Sequence, residues 1–118
     1  MLTWHPNAMA SDATNLTTRD IEPLPALDEL VEALLVLETP EECRRFLRDL
    51  CTLAELEALV HRWQIVRLLE ERRPYLEIAE RIGASTATVT RVAHWLHHGT
   101  GGYRTALERV GGRSGAER

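Results

Sequence analysis

Lysine is absent from this 118-residue sequence, phenylalanine appears once and cysteine twice. The two cysteines, Cys43 and Cys51, are eight residues apart in a leucine-rich stretch read as helical. Thiols at that spacing on one helix are too distant to bridge to each other. They are expected to be free thiols in a reducing, cytoplasmic compartment. No apolar stretch approaches the ~20 residues that cross a bilayer as a helix. The opening "MLTWHPNAMASDATNL" lacks the basic start and continuous apolar run of a signal peptide. Alternating β-branched runs are nearly missing too, which speaks against sheet. What remains is a chain 44% apolar and 27% charged, enough for one globular domain.

All 14 basic side chains are arginine. Genome composition accounts for that as readily as function does, though arginine is also the better fork for a phosphate. The formal net charge of -4 is unevenly spread. Residues 1–60 hold 12 acids and 4 arginines, hence -8; residues 61–118 hold 6 acids and 10 arginines, hence +4. From Ala84 to Leu107 there is no acidic side chain, while Arg91, His94, His97, His98 and Arg104 are present. A local basic face matters more to a polyanion than the total, because salt screens charges beyond roughly 8 Å.

Residues 1–26 mix Asn, Thr, Asp and Pro without periodicity and read as a disordered or extended arm. Residues 111–118, "GGRSGAER", read as a flexible tail. Residues 27–110 read as helix almost throughout. Leu27, Leu30, Val31, Leu34 and Leu35 form one apolar stripe on a helix to about Leu37. "TPEE" supplies a cap, a first-turn proline and early acids for a helix over 40–50, with Phe46, Leu47 and Leu50 inward. "TLAE" is a capping box, Thr52 with Glu55, opening a third helix over 53–72. That helix is apolar nearly all round: Leu53, Leu56, Leu59, Val60, Trp63, Ile65, Val66, Leu68 and Leu69. About 85 ordered residues can hardly cover it, so interlocked chains in an obligate dimer are expected. A last short helix is expected over 103–110, packed through Ala106, Leu107 and Val110.

Pro74 breaks the third helix, and the next 23 or so residues carry the functional signal, a helix-turn-helix over about 75–97. With Tyr75 as position one, the small fifth residue is Ala79 and the turn glycine at position nine is Gly83. The apolar positions four, eight, fifteen and eighteen are Ile78, Ile82, Val89 and Val92. Ahead of Val89 lies "GASTAT", short and rich in hydroxyls. In such a unit the second helix enters the major groove by its N-terminal end, so side chains there must be short. Thr86, Ala87 and Thr88 offer hydroxyls to bases or phosphates and methyls to thymine. The helix start offers free amides to a phosphate. Ser85, Thr90 and Arg91 are expected beside the backbone.

"ECRRFLRDLCTLAELEALVHRWQIVRLL" followed by "GASTATVTRV" resembles the Trp repressor family, specifically its YerC/YecD-type branch, over roughly residues 27–110. The resemblance implies an all-α, intertwined helical homodimer with one reading head per chain and a role in transcriptional regulation, as repressor. In Trp repressor the tryptophan corepressor is held by a threonine before the central helix, an arginine within it and an arginine in the reading helix. The matching positions are Thr52, Arg62 and Arg91. A glycine that leaves the indole its slot is replaced here by Val92, and Trp63 adds bulk beside Arg62. Both departures predict a slot filled from within and no tryptophan binding. Leu76 or Glu77 falls where Trp repressor has a DNA-contacting arginine, so base preference should differ.

His94, His97 and His98 share a helix face, but no thiol or carboxylate cluster completes a metal site. They are expected to line the DNA backbone or the helix end. Trp95 is expected in the core or at a dimer interface. No nucleophile is paired with a base, so no catalytic residue, enzyme activity or cofactor is expected. The expected partners are double-stranded DNA and a second copy of the chain, with no membrane. The rival reading is a helical dimeric interaction module whose helix-turn-helix binds a protein partner; retention on heparin or random DNA separates the two.

Overall fold

The computed structural model describes residues 24–116, with side chains as far as Gly112. Of the expected N-terminal arm, residues 1–23 lie outside the described residues. Six helices follow one another: α1 (Leu27–Leu35), α2 (Pro40–Leu50), α3 (Leu53–Glu70), α4 (Tyr75–Ile82), α5 (Thr86–His98) and α6 (Gly102–Ala116). Among the described residues there is no strand. The chain divides into two compact units that meet within α3, at Ala58 and Leu59.

In the first unit the helix starts are set by local hydrogen bonds. Thr39 Oγ1 accepts the Glu42 N–H at 3.1 Å, and the Glu42 carboxylate accepts the Glu38 N–H at 2.7 Å. The Thr52 and Glu55 side chains cap each other's backbone N–H at 3.1 and 2.8 Å. The second is a reciprocal capping box; in the first the Glu42 carboxylate reaches one residue past the cap, to Glu38. Packing contributes little here. No residue of α1 or α2 is buried. Phe46 and Leu47 are half-buried, but Leu50 is exposed, which corrects its expected inward place. The α1 stripe ends in Leu34 and in Leu35, which is 78% exposed. The helix itself stops at Leu35, short of Leu37.

The second unit holds the core. Ile65, Val66, Ile78 and Val89 are completely buried, and Ala79, Val92, Ala93 and Leu96 nearly so. Trp63, Leu68, Leu69, Ile82, Tyr103 and Leu107 pack against them. α3 ends two residues before its expected limit. Pro74 disfavours a helical Arg73, and the chain leaves the helix through a left-handed Arg72 (φ 64°) whose N–H donates to the Leu69 carbonyl at 2.9 Å. α6 returns to the end of α3 through Tyr103, Leu107 and an Arg104 Nη1–Glu70 Oε1 contact of 2.7 Å. It continues to Ala116, past Val110 and into residues read from sequence as tail. Glycine weakens a helix by about 1 kcal/mol against alanine but does not clash as proline does, so Gly111 and Gly112 are passed.

Candidate nucleic-acid interface

The pair α4–α5 is built as a helix-turn-helix. α4 closes at Gly83, in the left-handed conformation (φ 78°, ψ 34°) that glycine reaches without a Cβ penalty. The N–H groups of Gly83 and Ala84 both donate to the Ala79 carbonyl, at 2.9 and 3.0 Å. Ser85 then caps α5: its Oγ accepts the Thr88 N–H at 3.1 Å. The turn between helices is thus Gly83, Ala84 and Ser85. Ala79, 5% exposed, lets the helices approach, and Ile78, Val89 and Val92 are buried between them and α3, with Ile82 half-buried.

α5 sorts its side chains by angle. Val89, Val92, Ala93 and Leu96, spaced as i, i+3, i+4 and i+7, face the core. Thr86, Ala87, Thr90, Arg91 and His94 are exposed on the other side. Ser85 is exposed and Thr88 is half-buried next to the cap. The first two amides of the helix, on Thr86 and Ala87, have no partner inside a helix by construction. The tip therefore presents small side chains, two unpaired N–H groups and the positive end of the helix dipole. No acidic side chain lies on α5.

Further along the helix, His94 and His98 approach with ring centroids 5.3 Å apart, and His97 and His98 at 6.4 Å. All three are exposed. Trp95 is not in the core of this chain: it is 45% exposed, since helical phase gives the inward places to Ala93 and Leu96. It lines a shallow groove with Thr100, Gly102 and Tyr103, a feature the sequence did not announce. Gly99 ends the helix because nothing larger fits. A Cβ there would collide with the Trp95 carbonyl oxygen and come within 2.9 Å of its indole ring.

The three residues matched to a corepressor site are distributed as follows. Thr52 lies in the first unit, its hydroxyl accepting from Glu55 as a cap. Arg62 on α3 and Arg91 on α5 lie in the second, both exposed and without an ion pair among the described residues. Val92 is 5% exposed within the core, and Trp63 packs on that core with its ring centroid 6.5 Å from that of Tyr103.

A buried small-residue crossing, a left-handed turn glycine and an exposed, capped second helix define a helix-turn-helix protein. The model of the family "Trp repressor protein" matches residues 25–111, and the chain belongs to that family. It is 44% identical over 84 residues to the uncharacterized protein YerC of Bacillus subtilis (strain 168), which covers 71% of this chain and 81% of that relative. This places it in the family's YerC-type branch. The crystal structure of a TrpR-like protein from Eubacterium eligens ATCC 27750 superposes with a TM-score of 0.70 at 42% identity, over 73% of this chain and 89% of that one. A solved structure from Staphylococcus aureus gives 0.69 at 42% identity, over 73% and 86%.

Proposed function

We propose that this protein is a sequence-specific, DNA-binding transcriptional regulator that acts in the cytoplasm as a homodimer and does not respond to tryptophan. One observation carries the reading: the exposed side of α5 consists of short side chains at its leading end and Arg91 one turn behind, over a helix-turn-helix frame with a buried seam. Short side chains let the backbone near base edges, and the free amides of Thr86 and Ala87 take a phosphate. The family is one of DNA-binding regulators, and Trp repressor is itself among the proteins from which this docking geometry is known. Ser85, Thr86, Ala87, Thr88, Thr90, Arg91, His94 and His97 form the contact set. Dimerisation is supported by the apolar surface that one chain leaves open on α1 to α3: Val31, Leu34, Leu35, Leu50, Leu53, Leu59 and Val60 are 41–78% exposed. A dimer would present two reading helices about one duplex turn, roughly 34 Å, apart.

Gel-shift titration against duplexes selected from genomic DNA tests the reading. Binding should weaken steeply with salt. Arg91→Ala should lower affinity across all sequences by roughly tenfold and reduce the salt slope by about 1. Passage through heparin and random DNA without retention at low salt would favour a protein partner instead. Val92 and Trp63 support a filled corepressor slot, so calorimetry should show no micromolar uptake of L-tryptophan. Such uptake would overturn the effector part of the proposal alone.

A further inference from the structure

The hydroxyl-rich tip of α5 has fewer hydroxyl protons to offer a ligand than its sequence suggests. Four hydroxyls stand in it: Ser85, Thr86, Thr88 and Thr90. Thr90 Oγ1 donates to the Thr86 carbonyl of its own helix at 2.9 Å. Its proton is spent, and the oxygen can only accept. Ser85 Oγ and Thr88 Oγ1 are 3.1 Å apart and share one hydrogen bond, while Ser85 Oγ also accepts the Thr88 N–H. That pair keeps one proton, at the cap. Thr86 alone retains an uncommitted hydroxyl.

The side-chain types around the tip narrow the chemistry further. From Ala84 to Leu107 there is no Asn, Gln, Asp, Glu or Lys. The bidentate amides that read adenine, and the carboxylates that accept from cytosine, are missing from the segment. The arginine fork at Arg91 follows one turn behind the tip. What the exposed face does present at its centre is carbon. Ala87 is exposed, and Thr90, three residues on and therefore its neighbour on the helix surface, is exposed too. With Oγ1 turned back onto the helix backbone, the group Thr90 leaves on its outer side is the γ-methyl. The internal hydrogen bond thus holds a methyl outward beside the Ala87 methyl.

We propose that Ala87 and Thr90 together form a methyl-reading patch, and that the protein selects its sites by contact with the 5-methyl group of thymine. This rests on the DNA-binding reading above and goes beyond it, because it names the base feature recognised and the residues that recognise it. Thr90, expected from the sequence beside the DNA backbone, acts instead as a specificity residue, and its hydroxyl serves to orient its own methyl. Arg91 and the helix amides supply affinity that is blind to this feature.

The test uses duplexes that the full-length protein itself selects from genomic fragments, resynthesised with deoxyuridine in place of thymidine at each half-site position in turn. Deoxyuridine differs from thymidine only by the methyl. At one or two positions per half-site, affinity should fall about fourfold per methyl lost. Replacing such a T·A pair by 5-methylcytosine·G should be tolerated about fourfold better than replacing it by C·G. Thr90→Ser removes the methyl and keeps the hydroxyl, so it should abolish the deoxyuridine penalty at its position. Thr90→Val keeps a methyl and removes the hydroxyl, so it should retain that penalty. Ala87→Gly should abolish the penalty at the neighbouring position. Equal binding of thymidine and deoxyuridine duplexes at every position overturns the inference and leaves the DNA-binding reading standing. A penalty that survives in Thr90→Ser combined with Ala87→Gly overturns it as well. Failure to bind either kind of duplex overturns both.

Discussion

Residues 24–58 and residues 59–116 are equally helical, yet the described part of the first unit buries no side chain and the second buries eight. The first is the richer in leucine, with ten in residues 24–58 against six in residues 59–116, and both carry well-formed caps. The difference shows that local signals suffice to start and stop a helix, while stability comes from what covers its apolar face. The second unit covers the C-terminal part of α3 with α4, α5 and α6, though Leu59, Val60, Leu76 and Trp95 stay exposed. The first leaves Leu34, Leu35, Leu50 and Leu53 open, and a surface of that kind calls for a partner. The second unit frames the helix-turn-helix with its own core, and the proposed dimer would assign the open surface of the first to a second copy.

The strongest way to break this contrast is Leu35→Glu. If a second copy covers α1, the change puts one carboxylate per chain into an apolar contact, at a cost of several kcal/mol. Sedimentation should show monomer at micromolar concentration. An unchanged dimer would mean that Leu35 faces water in the assembly as well. Next in size is Ile78→Ala, which opens a cavity between α4 and α5 and should cost about 2–5 kcal/mol in urea denaturation. Leu34→Ala, measured in the same way at concentrations too low for association, should cost much less; equal losses would erase the contrast between the units. The smallest effect sharpens it at the backbone. Among the described residues each unit has one non-glycine residue at positive φ, Ala26 (66°) and Arg72 (64°). Ala26→Gly and Arg72→Gly should each raise stability by about 0.5–1 kcal/mol, the relief of left-handed strain outweighing the added chain entropy. Thermal melts resolve changes of that size.

Much of this fold is legible in the sequence, and the reasons are local. Thr39 with Pro40, Thr52 with Glu55, Gly83 and Ser85 act within four residues of themselves, so spacing alone reveals them. The seam of the reading head is legible too, because Ile78, Ala79, Val89 and Val92 must fall on facing stripes. Of the two places expected for Trp95, core or dimer interface, the core is ruled out: the phase set by Leu96 and Ala93 turns it out to a groove beside Tyr103. Leu50 was misread: an apolar residue ending a helix has no inward side unless something packs there. The hydroxyls of α5 looked alike in sequence, and only their hydrogen bonds told Thr86 from Thr90.

The amino-acid order by itself determined where the capped helices begin, that a left-handed turn separates α4 from α5, and that the leading end of α5 is small and free of acid, because each depends on neighbours a few residues away. Tertiary structure alone decided which leucines are covered and that Trp95 lies in a groove beside Tyr103. Burial is set by contacts between residues far apart in the chain, and no local pattern encodes it; which threonine proton is spent is set within one helical turn, but it shows only in the folded helix.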